Sequence, residues 1–383
     1  MKIKNIEKTA ARIKRAITQK EKIVLYGDID LDGAASVVIL QENIEAIGGK
    51  VSLTYFSDRE KEGYGLNKKA LLAIKKKIGD CQFLLITMDC GITNFQEAIL
   101  AKKMGIELII IDHHQPHHKL PEAAIIVAPK QTDDWYPFKD LANAGLIFKL
   151  AEEILGNDFI NFRKGFAELA ALATISDMMK EEKDNQEIIN EGLDALQATQ
   201  RLGLQLFREV VPINKEQPIR VVAQKIISLF GVSKIIKNKT EIYLILTSKN
   251  EKEIKKLLKE LIARNKIKQE KIIQIMEEIT KDLELSDKIV FQGKTKWSLS
   301  LLGSVASRIE NNLKKPVFLY KLGRQNSRGS VRAPSGVNVV DAMKESSDIL
   351  IAYGGHPPAA GFSIKNENLA EFKKRLENYF KSI

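Results

Sequence analysis

Three closely spaced aspartates, Asp28, Asp30 and Asp32, followed by Gly33, are the residues of this sequence best placed to do chemistry. They come directly after an apolar run that is typical of a strand. Ligands of open α/β sheets bind beyond the carboxyl ends of the strands, and carboxylates crowded there repel one another unless a cation neutralises them. The pattern predicts either a cation site or an acidic loop that caps a helix. A calcium loop of the EF-hand type is disfavoured because the glutamate that closes such a loop is absent.

Further candidate ligands follow other segments of regular structure. Asp89 ends one apolar run, and Asp112, His113 and His114 end another. Imidazole suits transition metals, and an aspartate can orient a ligating ring, so the Asp-His-His triplet is the strongest metal signal. Asp177 follows a helical segment and, taken alone, is more typical of a helix cap.

The histidines are not scattered along the chain. Four lie between residues 113 and 118, and the fifth, His356, lies in a glycine-rich segment. This clustering favours a functional role for His113 and His114. We interpret His117 and His118 as surface residues of a polar loop.

Together these carboxylates and imidazoles are more ligands than one ion needs. Two divalent ions about 3.5–4 Å apart, sharing one carboxylate, would use them all. The mixed oxygen and nitrogen set favours Mn²⁺, with Mg²⁺ or Co²⁺ as further candidates and Zn²⁺ disfavoured. Such a pair activates a bridging water and stabilises charge on an attacked phosphate, so the pattern predicts phosphoester hydrolysis without a serine or cysteine nucleophile.

The elements that must position these residues alternate between strands and helices in the first half of the chain. Apolar runs predict strands over 22–27, 50–56, 82–89 and 107–112, with helices between them over 34–47, 66–78 and 95–104. This order predicts a parallel sheet covered by helices on both faces, with all the strand-end carboxylates on one edge.

The second half predicts helices over 140–210 and a second, smaller α/β domain. The run 241–247 reads as the first strand of that domain, followed by a long polar helix over 251–282 and a strand over 317–320. The predicted domains are a catalytic domain over 1–200, a helical connector over 201–240 and a substrate-binding domain over 241–383.

Composition favours a protein that binds a polyanion. The formal net charge is +11, and residues 311–340 contain six basic residues and no acidic one. A positive field of this kind favours nucleic acid, although a lysine-rich proteome would give the same bulk value. No apolar run is long enough to span a bilayer, and the two cysteines, Cys81 and Cys90, exclude a disulfide scaffold. We therefore expect a cytoplasmic protein without membrane contact.

The motifs resemble the DHH phosphoesterase superfamily. The resemblance rests on the Asp28–Gly33 motif, the isolated Asp89, the triplet at 112–114 and, in the second half, the segments 303–308 and 354–361, which resemble the DHHA1 domain. Within the superfamily, the spacing of the first motif resembles the RecJ family of single-strand-specific 5′→3′ exonucleases. The resemblance covers nearly the whole chain.

The resemblance implies a role for each motif residue. Asp28, Asp30 and Asp89 would hold one metal, and Asp32, Asp89, His113 and Asp177 would hold the other. Asp112 and His114 would act in catalysis, Asp112 by orienting the metal ligands and His114 by contacting the scissile phosphate or polarising a ligand. The implied substrate-binding residues of the second domain are Arg308, Ser330, Arg332, Gly354, Gly355 and His356.

Three features depart from the resemblance. The family's Pro-Arg-Ile-Asn-Ala pattern is not recognisable in 215–240, Trp297 is followed by serine where the family has histidine, and the OB-fold of longer RecJ-family proteins has no counterpart in this sequence. An OB-fold strengthens the grip on single strands by stacking and charge. Strand polarity and substrate length are therefore left open.

The main hypothesis is a RecJ-like exonuclease of single-stranded DNA or RNA that acts in DNA repair and recombination. One alternative is a phosphoesterase of the same superfamily for oligoribonucleotides, bisphosphonucleotides or cyclic dinucleotides. The other is a non-catalytic replication scaffold, which should have lost metal ligands. Single-stranded nucleic acid is the expected partner, with a single-strand-binding or GINS-like replication protein as a further candidate.

Overall fold

A computed structural model of the chain describes residues 1–59, 61–211, 216–281, 283 and 288–381, and for His356 the backbone alone. The chain forms two compact units, Met1–Ala263 and Arg264–Ile383. The predicted start of the second domain at residue 241 therefore lies within the first unit. The predicted connector over 201–240 also belongs to that unit, apart from residues 212–215, which lie outside the described residues.

A parallel sheet organises the first unit. Its five strands are β1 (Lys22–Gly27), β2 (Val51–Phe56), β3 (Phe83–Met88), β4 (Ile106–Ile111) and β5 (Ile125–Val127). They lie in the order β2-β1-β3-β4-β5, and every pairing is parallel. Alternate residues of β1 enter different hydrophobic cores, Leu25 on one face of the sheet and Val24 on the other. Burial on both faces explains the continuous apolar runs and confirms the predicted fold class.

Helices cover both faces of this sheet. Residues of α3 (Lys68–Ile78) and α4 (Phe95–Lys103) contribute to one core. The other core takes in α1 (Ile6–Thr18), α2 (Leu31–Ala46) and a helical layer that follows β5 in the chain. That layer comprises α5 (Asn143–Leu155), a 3₁₀ turn (Gly156–Asp158), α6 (Phe159–Ser176), α7 (Lys183–Gln197), α8 (Leu202–Val210), α9 (Ile219–Phe230) and, after the hairpin of β6 (Ile235–Ile236) and β7 (Lys239–Thr240), α10 (Glu241–Thr247).

The segment 241–247 is a helix, so its prediction as a strand was wrong. The side chain of Thr240 caps the helix by accepting a hydrogen bond from the backbone of Tyr243 at 3.0 Å. Residues Ile242, Tyr243, Ile245 and Leu246 are buried in the core of the first unit. A short apolar run carries no periodicity that separates strand from helix, and here the cap and the packing decide.

The second unit is built on a mixed sheet. Its strands are β8 (Val290–Lys294), β9 (Val317–Lys321), β10 (Asn326–Arg332), β11 (Leu350–His356) and β12 (Ala359–Lys365), in the order β11-β12-β10-β9-β8. Among the described strands of this second sheet, only β8 and β9 pair in parallel. The helices are α11 (Glu251–Lys281), which begins in the first unit, α12 (Leu299–Leu313), α13 (Val339–Lys344) and, after a 3₁₀ turn (Asn366–Asn368), α14 (Leu369–Lys381).

The two faces of this second sheet pack against different helices. Val317 and Leu319 of β9 pack with Leu302 and Val305 of α12 on one face. Phe318, between them in the sequence, packs with residues of α13 and α14 on the other face. Across the described part of the chain, no helix combines the length and the apolar character needed to span a membrane.

Candidate metal centre

The loop between β1 and α2 holds the first three candidate ligands. Asp28 follows β1 directly and is buried, whereas Asp30 is the N-cap of α2, and its side chain accepts a hydrogen bond from the backbone of Gly33 at 3.1 Å. A Cβ atom on Gly33 would lie 2.4 Å from the carbonyl oxygen of Asp28, so the tight turn requires glycine at this position. The turn brings Asp28 and Asp30 to one site and directs Asp32 to another.

Asp32 is fixed by the first turn of α5. Its two carboxylate oxygens accept hydrogen bonds from the backbone N–H groups of Asn143 and Ala144, each at 2.7 Å. The amino-terminal end of a helix favours a negative charge, and these two donors orient the carboxylate. A helix distant in the sequence therefore positions this candidate ligand.

Asp89 follows β3 and has an unusual backbone conformation. Its φ of 62° lies in the left-handed region, which residues other than glycine rarely adopt. Its backbone N–H donates to the carbonyl oxygen of Ile111 at 3.1 Å, which extends the sheet pairing by one residue. Unusual backbone conformations cluster at functional sites, and this one directs a buried carboxylate into the cluster.

The triplet after β4 forms two hydrogen-bonded pairs, Asp112 with His114 and His113 with the carbonyl group of Leu141. Asp112 is buried, and its Oδ1 accepts a hydrogen bond from Nδ1 of His114 at 2.8 Å. Nδ1 of His113 lies 3.1 Å from the carbonyl oxygen of Leu141 and must donate to it, because a carbonyl oxygen only accepts. In the neutral imidazole, Nε2 of His113 is therefore unprotonated and can bind a metal. His117 and His118 are exposed.

The candidate ligands meet at one edge of the sheet. Nε2 of His113 lies 3.2 Å from a carboxylate oxygen of Asp89, 3.6 Å from one of Asp177 and 3.9 Å from one of Asp32. Three groups have ligand atoms within 4.8 Å of one another, and they comprise Asp28, Asp30 and Asp89; Asp32, His113 and Asp177; and Asp89, His113 and His114. Asp89 thus belongs to two of the groups. The donor set comprises three buried carboxylates, the more exposed Asp30 and Asp177, and one oriented imidazole nitrogen, and such a set suits divalent metal ions.

Burial and mutual repulsion disfavour the ionised carboxylates of this cluster. Burial, reinforced by the charge of Asp30, raises the pKa of Asp32 to about 7. Burial and the charge of Asp32 raise the pKa of Asp177 to about 6, and that of Asp89 is raised well above its usual value for the same two reasons. Burial also raises the pKa of Asp28. Such a cluster needs a compensating cation to be fully ionised at neutral pH.

The two histidines of the triplet have opposite pKa shifts. Burial lowers the pKa of His113, which keeps its imidazole neutral, the form in which it can bind a metal. Burial also opposes the charged form of His114, but its hydrogen bond to Asp112 and the negative charges of Asp112, Asp177 and Asp32 together outweigh burial and raise its pKa. For Asp112, burial opposes ionisation, but the hydrogen bond from His114, the charge of His114 and the backbone hydrogen bonds from Ile92 and His114 together lower its pKa. The arrangement favours a protonated His114 beside an ionised Asp112.

Arg59 and Tyr64 lie at the cluster and were missed by the sequence analysis. Nε of Arg59 donates to Asp28 at 2.9 Å, and a terminal nitrogen of its guanidinium group donates to Asp30 at 3.1 Å. The guanidinium also lies over the ring of Tyr64, 5.0 Å from its centroid. Tyr64 is 53% exposed, so an aromatic face adjoins the metal site. No sequence motif marked these residues, because they lie in the loop after β2 and reach Asp28 only through the fold.

In the second unit, α12 and β10 bring several predicted substrate-binding residues together. Nε of Arg332 donates to the hydroxyl of Ser307 at 3.1 Å, and another guanidinium nitrogen lies 3.4 Å from the hydroxyl of Ser330. A Cβ atom on Gly303 would approach Arg332 to 3.2 Å and Ser330 to 3.4 Å. Burial lowers the pKa of Arg332. The arrangement presents a half-buried guanidinium group and hydroxyl groups as hydrogen-bond donors that can bind an anion.

The glycine-rich segment lies beside these residues in the same sheet. Ser330 of β10 and Gly354 of β11 both pair with Gly361 of the intervening strand β12. In the next row Arg332 and His356 both pair with Ala359. The predicted role of the His356 side chain lies outside the described residues. Gly355 has a φ of 142°, which favours glycine.

Arg308 is placed on α12. Its guanidinium group donates to the side chain of Gln269 on α11. Burial lowers the pKa of Lys268, and the nearby charge of Arg308 lowers it further. The predicted role of Arg308 in phosphate binding stays a prediction.

Two family models match the chain. The model for the DHH family, N-terminal domain, matches residues 22–174, and the model for the DHHA1 domain matches residues 286–382. The first range includes the predicted metal ligands up to His113, and the second includes the substrate-binding segments of the second unit. The expected order of a DHH and a DHHA1 domain is confirmed.

The curated relatives include single-stranded-DNA-specific exonucleases named RecJ. The protein from Bacillus subtilis is 34% identical over 381 residues, which cover 98% of this chain and 47% of the relative. The protein from Thermus thermophilus is 29% identical over 377 residues, which cover 98% of this chain and 54% of the relative. The chain thus spans about half the length of these relatives.

Solved structures agree with this similarity. The crystal structure of RecJ from Thermus thermophilus in complex with Mn²⁺ is similar to this chain, with a TM-score of 0.80 and 26% identity. The similarity covers all of this chain and 55% of the RecJ chain. A crystal structure of an exonuclease RecJ bound to manganese is also similar, with a TM-score of 0.74 and 27% identity. This similarity covers all of this chain and 96% of the compared RecJ chain. The second similarity extends over nearly the whole of the compared chain.

Proposed function

We propose that this chain, which belongs to the DHH/DHHA1 superfamily, is a metal-dependent phosphodiesterase that hydrolyses single-stranded DNA from its 5′ end and releases mononucleotides. The observation that supports this most directly is the cluster of Asp28, Asp32, Asp89, His113 and Asp177 at the carboxyl edge of the first sheet. The names of the RecJ relatives supply the substrate class and bond type.

The ligand set supports two divalent ions, for which Mn²⁺ is the proposed native metal and Mg²⁺ or Co²⁺ are alternatives. Asp28, Asp30 and Asp89 would hold one ion, and Asp32, Asp89, His113 and Asp177 the other, with Asp89 shared. When bound, such a pair supplies an activated water and charge stabilisation at the attacked phosphorus. The known manganese complexes of RecJ proteins support the choice of metal.

The remaining residues of the cluster would orient ligands and substrate. The carbonyl oxygen of Leu141 holds His113 in the tautomer whose Nε2 faces the carboxylates. Asp112 favours the charged form of the His114 imidazole, in which His114 would donate to a nonbridging oxygen of the scissile phosphate. A charged donor beside a phosphate stabilises the negative charge that develops during hydrolysis.

The proposed division of labour assigns catalysis to the DHH domain and substrate binding to the DHHA1 domain. Arg308, Ser330, Arg332 and the backbone of Gly354 and Gly355 would bind phosphates of the strand. Phosphate contacts of this type position a nucleic acid without reading its sequence. His356 remains a predicted member of this set.

The scaffold hypothesis is disfavoured because the fold gathers every predicted metal ligand into one cluster. A nucleotide- or dinucleotide-specific activity is the alternative outcome of the assay below. Action in DNA repair and recombination, a cytoplasmic location, and recruitment by a single-strand-binding or GINS-like partner remain predictions that follow from the RecJ relatives.

The test is digestion, with Mn²⁺, of matched DNA strands labelled at the 5′ or the 3′ end, of an RNA of the same sequence, and of a dinucleotide. We expect immediate release of labelled mononucleotide from the 5′ label and shortening in steps of one nucleotide from the 3′ label. Mononucleotide released first from the 3′ label would reverse the polarity. Turnover of the dinucleotide alone would assign the small-substrate activity, and no turnover with Mn²⁺, Mg²⁺ or Co²⁺ would overturn the proposal.

A further inference from the structure

A row of basic side chains crosses the sheet of the second unit. The strand register places Lys294 of β8 directly opposite Lys321 of β9, and Lys321 directly opposite Arg328 of β10. Side chains paired in this way lie on the same face, and like charges directly opposite one another destabilise a sheet. An anion bound along the row would remove that cost.

Among the described residues, two members of the row have no acidic partner. Lys294 lies 3.8 Å from a carboxylate oxygen of Glu278, which offsets its charge. Lys321 and Arg328 are exposed, and no carboxylate among the described residues lies within ion-pair distance of either. Their two positive charges are therefore available to a ligand.

The row continues the face on which α12 packs. Arg328, Ser330 and Arg332 are every second residue of β10, so their side chains project from the same side of the sheet. Helix α12 contacts that side through Ser307. Opposite Arg332, Ser330 and Arg328, the adjacent strand β12 presents the small residues Ala359, Gly361 and Ser363, and the exposed Lys365 follows on the same face at the end of the strand. The result is a shallow surface bordered by the basic and hydroxyl side chains of β10.

The spacing along β10 suits a polyphosphate backbone. Side chains on one face of a strand recur every second residue, about 7 Å apart, which is close to the separation of neighbouring phosphates in an extended nucleic-acid strand. Arg332, Ser330 and Arg328 thus provide donors in phosphate-like steps. The cations of Arg328 and Lys321 lie one step beyond Ser330.

We propose that Lys321 and Arg328 form a phosphate subsite for single-stranded nucleic acid, next to the Ser330 and Arg332 contacts in the DHHA1 domain. The inference rests on the proposed function and extends it, because it predicts that affinity grows with the length of the strand. The small residues Ala359, Gly361 and Ser363 of β12 favour a nucleic-acid backbone as the ligand. A protein partner would need buried aromatic or apolar side chains for its binding energy.

The subsite is tested by fluorescence anisotropy in EDTA, where binding is measured without hydrolysis. The variant Lys321→Ala/Arg328→Ala is compared with Lys373→Ala/Lys374→Ala, which removes the same charge from α14 on the opposite face. The ligands are DNA strands of about 12 and about 3 nucleotides, because only the longer strand passes beyond the Ser330 and Arg332 contacts.

We expect the subsite variant to bind the longer strand about tenfold more weakly and to lower the slope of log affinity against log salt by about 1.4, or about 0.7 for each lost phosphate contact. Binding of the shorter strand, and both measurements for the control variant, should be unchanged. The charge-conserving variant Lys321→Arg/Arg328→Lys should retain most of the affinity, which separates lost charge from a disturbed sheet.

Unchanged affinity and salt slope for the longer strand would overturn the subsite. Equal loss in the α14 variant would do the same, because it would show that only the net charge matters. A chain that binds the longer strand through Lys321 and Arg328 but hydrolyses neither strand when Mn²⁺ is added would retain the subsite and lose the proposed function. The two proposals therefore fail separately.

Discussion

At the residue scale, Asp89 carries more of the proposed chemistry than any other side chain. It belongs to two of the three ligand groups and holds a left-handed backbone conformation. Asparagine tolerates that conformation and preserves the shape of the side chain while removing its charge. We predict that Asp89→Asn leaves the fold intact, lowers hydrolysis more than about 100-fold and reduces the number of Mn²⁺ ions bound.

Activity, bound manganese and circular dichroism of Asp89→Asn are to be measured beside Asp80→Asn, an exposed carboxylate outside the cluster. The control should match the unaltered protein in all three. Full metal content together with full activity in Asp89→Asn would refute the shared-ligand role.

Arg59 acts at the same scale as an internal counter-ion. Its guanidinium group donates to Asp28 and Asp30, two carboxylates that would have to bind a metal in its place. A metal must compete with this cation, so we predict that Arg59→Ala binds Mn²⁺ about tenfold more tightly in calorimetric titrations, a change of about 1.4 kcal/mol. Lys61→Ala, which alters an exposed lysine of the same loop, should leave the affinity unchanged. Weaker Mn²⁺ binding by Arg59→Ala would show that the guanidinium group supports the site instead.

At the element scale, the turn from β1 into α2 depends on one glycine. A Cβ atom at Gly33 would meet the backbone of Asp28, which cannot yield without moving a ligand, whereas the same atom at Gly165, within α6, would meet nothing within 4 Å. We predict that Gly33→Ala lowers both the free energy of unfolding and Mn²⁺ affinity. Gly165→Ala should raise the free energy of unfolding by about 0.5–1 kcal/mol, because alanine favours a helix interior.

Urea unfolding and manganese titration of both glycine variants provide the measurement. If Gly33→Ala retained its stability and its metal affinity, the turn would not depend on close backbone approach. A destabilised Gly165→Ala would instead show that the comparison between the two sites is unsound.

At the scale of the whole molecule, the carboxylate cluster links stability to pH. The raised pKa values of Asp28, Asp32, Asp89 and Asp177 mean that the folded protein holds protons that the unfolded chain, with aspartate pKa values of about 3.9, has released. Where the folded state binds more protons, the free energy of unfolding falls as pH rises. The raised pKa of His114 acts in the same direction.

The other two members of the triplet alter this trend little. The lowered pKa of His113 favours unfolding as pH falls below about 6.5, but it is one group against several. The stability contributed by Asp112, whose pKa is lowered, is fully present above about pH 4. The net expectation is a metal-free protein that loses stability from pH 5 to pH 8.

We therefore predict that the melting temperature of the metal-free protein falls by several degrees between pH 5 and pH 8. Mn²⁺ should raise it most at the higher pH, because metal ligands must be deprotonated. Asp32→Asn/Asp177→Asn should flatten the pH dependence, since it removes the two carboxylates whose pKa values are about 7 and about 6. Thermal unfolding in EDTA and in Mn²⁺ measures both effects, and a melting temperature that rises with pH in EDTA would contradict the prediction.

The sequence alone determined the parallel sheet and the edge at which the candidate ligands gather. Strand runs such as 22–27 and 107–112 are continuous and apolar because their sheet is buried on both faces, and parallel strands place their carboxyl ends together. Asp28, Asp89 and His113 each follow such a strand, so local order along the chain was enough to bring them to one edge. The DHH and DHHA1 motifs could be recognised because each is contiguous in the sequence.

Only the tertiary structure decided features that depend on contacts between distant segments. Arg59 reaches Asp28 because β2 lies beside β1, and the helix at 241–247 is selected by its cap and its packing rather than by its β-branched composition. The row formed by Lys294, Lys321 and Arg328 exists only through strand register, which no single strand encodes. A local pattern reports which side of an element is buried, whereas the partner that covers it is fixed only when the chain folds.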